Sequence, residues 1–199
     1  MGVASIVRYT GLLSMIKLMM LLALINPVPK FEHGLSKHLE IYTHQGGKEL
    51  NRKQFQKFVL RPSLEKIGLY SEAAERLLTM IVAHESLKGH YIVQTTGQAK
   101  GIYQMENPTH DDVLRWVHNN RPELYRQIVE MGDGQPSPVK MITDLDYATA
   151  MARVFFLRFP EALPTGNDEE LAAYAKKRWN TYAGKATPED YLKAYQSWK

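Results

Sequence analysis

One carboxylate, Glu85, falls where a carboxylate is costly. Ala74, Leu77, Leu78, Ile81 and Val82 recur at helical spacing, and Glu85 stands four residues after Ile81 on the same apolar stripe. A carboxyl on a buried stripe must be paired, hydrogen-bonded or functional. Burial also raises its pKa, so that it keeps its proton and can act as a general acid near neutral pH. Position alone leaves a structural role open, because the last residue of a stripe at a helix end is often exposed. Other chemistries fit the neighbouring residues less well. A zinc-protease helix needs a second histidine four residues after His84, and position 88 is Lys88. Gly97 and Gly101 do not make a phosphate-binding loop, and no Ser-His-Asp arrangement is evident. The remaining histidines read as surface residues, and no cofactor or metal is implied.

The helix that carries Glu85 is expected to start at Ser71, a good N-cap, and to close at Gly89. Glu72 and Glu75 put negative charge in its first turn, where the helix dipole favours it. Upstream, Phe55, Phe58, Val59 and Leu60 recur at helical spacing from Asn51 onward. Arg61-Pro62 breaks or kinks that run, and Leu64 and Ile67 continue it to Gly68. Downstream, the loop HYIVQTTGQAK has room for a short hairpin around Tyr91 to Gln98 and leads into Gly101–Met105. Thr109 with Asp111 and Asp112 opens a helix ending before Pro122, and a short helix carrying Leu124, Ile128 and Met131 follows. The run from Met141 to Phe159, started by Ser137-Pro138, reads as one long core helix. Asn167 and Thr187-Pro188 open two further helices, bearing Leu171, Tyr174, Ala175 and Trp179, then Tyr191, Leu192, Tyr195 and Trp198. No sustained period-two alternation appears elsewhere, so the expected fold class is all-α with at most a small β-hairpin.

Three motifs then acquire a common meaning. His84-Glu85-Ser86, the segment Gly101-Ile102-Tyr103-Gln104-Met105 with Thr109, and Trp179-Asn180 with Gly184 occur in order over residues 71–199. Together they resemble the signature of soluble lytic transglycosylases and goose-type lysozymes. The stretch from Asn51, with Arg61-Pro62 and Gly101 to Thr109, is further similar to phage-encoded members. The resemblance implies a lysozyme-like helical domain, with Glu85 as the catalytic acid and base and peptidoglycan glycan strands as the partner. It further implies that Ser86 positions the substrate or Glu85, and that Gly101, Ile102, Tyr103, Gln104 and Met105 line a sugar groove. Asn180 would bond sugar or hold the loop. Family members usually carry a Tyr at the position of Trp179, whose hydroxyl bonds the catalytic carboxylate. An indole cannot play that part, which leaves Tyr182 or Tyr174 to supply the hydroxyl and Trp179 to pack on Glu85 or stack on a sugar. The plain alternative for the Gly101–Met105 segment is a buried structural one, and for Ser86 an ordinary polar residue at a helix end.

A hydrolytic glycosidase needs a second carboxylate, as nucleophile or as base for water. Between Glu85 and Gly101 there is no Asp or Glu, which favours intramolecular attack by the muramic acid 6-hydroxyl over hydrolysis. Glu106, Asp111 and Asp112 are the remaining candidates, and the aspartates also read as helix N-terminal charge.

The whole chain is consistent with these expectations. With 44% hydrophobic and 23% charged residues the 199-residue chain can fold around a real core. A net charge of +4 and a pI near 9.1 suit acidic polymers without choosing among them. A nucleic-acid partner is not expected, because no Arg/Lys stripe is interleaved with aromatics. The absence of cysteine excludes disulfides and thiolate metal sites. Residues 51–199 are read as the lysozyme-like domain and 30–50 as a linker. Residues 1–29 form an apolar segment, with Arg8 and Lys17 before the run Leu18 to Ile25 and Pro27 and Pro29 after it. That segment reads as a signal peptide, a membrane anchor or a packing helix that meets membrane or other virion proteins. The expected setting is a phage virion or the host periplasm and cell wall. A non-catalytic structural or wall-binding virion protein is the rival from another class.

Overall fold

In the computed structural model, residues 49–181 and 184–199 are described. The apolar segment 1–29, most of the linker and Tyr182 therefore lie outside the described residues. The Asn51 side chain accepts from the Gln54 N–H and opens α1 (Arg52–Phe55). This helix runs through a π-helical turn at Gln56–Leu60 directly into α2 (Arg61–Lys66). The expected break at Arg61-Pro62 is thus a widened turn rather than a stop. Arg61 N–H bonds the carbonyl of Gln56, five residues back, and the wider turn gives the Pro62 ring room against the preceding carbonyls. The same turn leaves Phe58 64% exposed while Phe55, Val59 and Leu60 stay buried, so Phe58 is no part of the core.

Ser71 caps α3 (Glu72–Glu85) by accepting the Ala74 N–H, and Ala74, Leu77, Leu78, Ile81 and Val82 are all buried. Helix α3 stops at Glu85, earlier than the glycine at 89 suggested. Leu87, Lys88 and Gly89 all take positive φ and turn the chain away. The Ser86 hydroxyl ties this turn down, donating to the Val82 carbonyl at 3.0 Å and accepting the Gly89 N–H at 3.0 Å.

Helix α4 (Asn107–Asn120) begins two residues before Thr109, so Asp111 and Asp112 fall beyond its first turn. Their expected dipole role gives way to local pairing, Asp111 with His110 and Asp112 with Arg115. Helix α5 (Pro122–Met131) follows. The long core helix expected from Met141 to Phe159 is three pieces: α6 (Lys140–Thr143), α7 (Leu145–Phe155) and a 3-10 turn at Phe156–Arg158. Asp144 causes the first division, because it is extended and its side chain accepts the Tyr147 N–H as an N-cap. Helix α8 (Asp168–Ala175), capped by Asn167, passes into a π-helical turn at Lys176–Asn180. Helix α9 (Pro188–Ser197) starts with a capping box between Thr187 and Asp190.

The described chain is therefore all-α, its extended pairing reduced to isolated bridges between Val93 and Lys100 and between Lys100 and Met105. Helix α7 is central and packs against α2, α3, α4 and α5, while α9 lies across α3 and α8. Among the described residues no helix is long and apolar enough to cross a membrane.

Candidate functional site

The reversal after α3 brings Glu85 to the wall of a cleft of about 930 Å³. One wall is the C-terminal end of α3 and the loop carrying Tyr91 and Val93. The floor is Gln104, Met105 and Thr109, and the opposite wall is Phe155 to Phe159 with Lys177 to Asn180. Glu85 is only partly exposed. Burial raises its carboxyl pKa above the ordinary carboxylate range, and a hydrogen bond from Tyr191 opposes that rise without cancelling it. The bond donates from the Tyr191 hydroxyl to Oε1. Tyr191 is wholly buried in the first turn of α9, and burial beside the Glu85 carboxylate pushes its own pKa up, so it remains a donor.

A line of polar contacts supports this pair. The Asn180 side chain lies near enough to the Tyr191 hydroxyl to offset part of the rise in its pKa, and Asn180 Oδ1 accepts from Lys176 Nζ at 2.8 Å. The same ammonium donates to the carbonyls of Thr181 at 2.7 Å and Gly184 at 2.8 Å. Gly184 lies so close that a Cβ there would meet Asn180 Oδ1 at 2.0 Å. Behind Tyr191, the His84 ring packs on the phenol with centroids 4.2 Å apart. Burial lowers the His84 pKa, partly offset by Asp190.

The residues singled out from sequence divide into two groups. Glu85, Gln104, Met105, Trp179 and Asn180 line the cleft together. Ser86, Gly101, Ile102 and Tyr103 are buried behind it and act on its shape. Gly101 sits at φ +72° against the Met141 carbonyl, where a Cβ would come within 2.4 Å of the oxygen. Its own carbonyl accepts the Gln104 N–H at 3.0 Å and Gln104 Nε2 at 2.8 Å, which fixes Gln104 at positive φ. The Tyr103 hydroxyl is buried against Thr149 Oγ1 at 3.1 Å. Trp179 belongs to an aromatic group with Phe155 and Phe156, at centroid distances of 4.8 and 5.7 Å.

Several residues that the sequence pointed to elsewhere change their reading. The hydroxyl on Glu85 is that of Tyr191. Tyr174 packs on Phe156 and its hydroxyl has no hydrogen-bond partner among the described residues, and Tyr182 lies outside them. His110, expected at the surface with the other histidines, is wholly buried. Its Nδ1 is 2.8 Å from Asp111 Oδ1 and its Nε2 2.8 Å from the Tyr147 hydroxyl, so it pins α4 to α7 and sets Thr109 on the floor. Asp111 and Asp112 do not line the cleft. Among the described residues its carboxylates are Glu85 and the exposed Glu106.

Tyr91 and Val93, 45% and 44% exposed, form a lip that sequence patterning treated as loop. Tyr191 was legible as an inward residue of the last helix, but nothing in its spacing names the group it faces. No group of three or more His, Asp or Glu suited to a metal ion occurs among the described residues. Chemically, the arrangement offers one carboxyl of raised pKa to an open cleft, held by a buried phenol and flanked by amide and aromatic side chains. Compared with family models, curated proteins and solved structures, the chain finds no match in any of the three.

Proposed function

We propose that this chain is a lysozyme-like enzyme that cleaves the β-1,4 bond between N-acetylmuramic acid and N-acetylglucosamine in peptidoglycan, by lytic transglycosylase chemistry. The observation that carries the reading is Glu85: a carboxyl with a raised pKa, bonded to a buried Tyr191, on the wall of a cleft. Glu85 protonates the glycosidic oxygen as the bond to the muramic C1 breaks. The developing oxocarbenium-like centre is stabilised by the substrate's own acetamido group and by nearby dipoles. The Glu85 carboxylate then takes the proton of the muramic 6-hydroxyl, whose oxygen closes on C1 to give the 1,6-anhydro sugar. Gln104 and Asn180 supply amide groups to sugar or acetamido, while Trp179 and Met105 supply apolar surface.

The order and spacing of the Glu-Ser, Gly-x-x-Gln-Met and Trp-Asn motifs support a place among lytic transglycosylases and goose-type lysozymes. The resemblance to phage-encoded members supports action in a virion or in host lysis. A hydrolytic muramidase is the second reading, favoured by one observation: Glu106 lines the same cleft and is exposed to water. The two readings separate in a turbidity assay on purified peptidoglycan. Glu85→Gln should lose roughly a hundredfold or more of the clearing rate, and Glu106→Gln far less. Equal losses at both positions would favour the hydrolase, and undiminished clearing by Glu85→Gln would leave a non-catalytic wall-binding protein.

A further inference from the structure

Three cations line the same cleft as Glu85: Arg158, Lys177 and Arg178. Glu161 holds one of them closely and lies near a second. Its Oε1 accepts Arg178 Nε at 2.6 Å and lies 3.9 Å from Lys177 Nζ. Arg158 is in a different position. Its guanidinium lies over the Phe155 ring, 4.7 Å from the centroid, and its Nε is buried without an acceptor among the described residues. Its ion pair is loose and shared: Nη1 is 3.7 Å from Asp112 Oδ2, and Asp112 Oδ1 is held by Arg115 at 2.7 Å. A partly desolvated guanidinium whose only ion pair is loose and shared gains from a further acceptor at its exposed end. The hydroxyl and acetamido groups of a glycan are neutral and match it poorly, whereas a carboxylate fits its planar fork.

We propose that Arg158 is a carboxylate-binding site within the cleft, and that its ligand is a carboxylate carried by the glycan strand. Two sources share that chemistry: the carboxylates of the peptide stem, and the lactyl carboxylate of muramic acid where the stem has been removed. The proposal rests on the peptidoglycan reading of the cleft and makes Arg158 a determinant of which strands are held. The test is calorimetric binding by the full chain carrying Glu85→Gln, so that the probe survives. Three tetrasaccharide probes are compared: stem-bearing peptidoglycan, the same glycan stripped to its lactyl carboxylate, and chitotetraose, which has no carboxylate.

The expected result is a preference of about tenfold or more for a carboxylate-bearing probe over chitotetraose. Adding Arg158→Gln should erase it and Arg158→Lys should keep part of it. Preference for the stem-bearing probe alone assigns the stem, preference for the stripped probe alone assigns the lactyl carboxylate, and equal preference for both means that either carboxylate fills the site. An unchanged preference in Arg158→Gln overturns the site. So does an equal weakening toward all three probes, which would mark Arg158 as a packing residue over Phe155. Should the unmutated chain release no product from peptidoglycan and none of the probes bind, the reading of the cleft fails. Should it release product without an Arg158-dependent preference, the carboxylate site alone fails.

Discussion

Glu85 and Tyr191 are a coupled pair, and their coupling has two measurable signs. Burial raises the Glu85 pKa while the Tyr191 hydroxyl, donating to the carboxylate, pulls it down. Tyr191→Phe therefore moves the alkaline limb of the kcat/KM profile to higher pH, because the acid keeps its proton longer. The plateau rate should fall roughly ten- to a hundredfold through loss of orientation, and a limb that stays in place would contradict the assigned bond.

The second sign concerns stability. In the unfolded chain Glu85 loses its proton near the ordinary value of about 4.3, whereas folded it holds on to higher pH. The stability linked to this group is thus fully present below about pH 4.3 and falls as pH rises toward the raised folded pKa. Glu85→Gln removes the penalty. It should melt above the unmutated chain at neutral pH, and the difference should vanish in acid. Melting curves at the two pH values check this, and a mutant less stable than its parent at neutral pH would contradict it.

At the scale of elements, what positions the site is a set of chain reversals rather than the helices themselves. The turn Ser86–Gly89 ends α3 so that Glu85 meets the cleft, and Lys176 ties Asn180, Thr181 and Gly184 together at its other side. Gly101 holds the floor. Gly101→Ala adds a Cβ at φ +72° within 2.4 Å of a backbone oxygen, so it should cost at least about 2 kcal/mol in denaturant unfolding. An unchanged midpoint would mean the floor is built differently.

The legibility of the sequence follows the same division. Caps at Ser71, Asn167 and Thr187 are local hydrogen bonds between neighbours, and they could be read directly. The division at Asp144 was equally local but hidden inside a continuous apolar run. The π-helical turns at Gln56–Leu60 and Lys176–Asn180 keep a helical pattern in sequence while moving every later side chain around the axis. Phe58 is exposed for that reason, and the face presented by Trp179 could not be read from spacing. Tyr191 reaches Glu85 across 106 positions of chain, a contact that only the packing of α9 on α3 creates.

On the scale of the whole molecule, the described residues form an all-α domain whose central helix α7 ends in Phe155 at the cleft, while α3 carries the acid and α9 holds it through Tyr191. The cleft combines one carboxyl of raised pKa, an exposed Glu106 and three cations, which suits a strand that bears negative charge on a neutral glycan backbone. The central claim is that Glu85 breaks that strand and that the sugar's own hydroxyl, not water, completes the reaction. Mass analysis of the fragments released from purified peptidoglycan tests it most directly, with Glu85→Gln as the control. The account predicts muramic acid ends lighter by one water than reducing ends, absent from the Glu85→Gln digest. Reducing muramic acid ends from the unmutated chain would contradict it and make Glu106 the base for water.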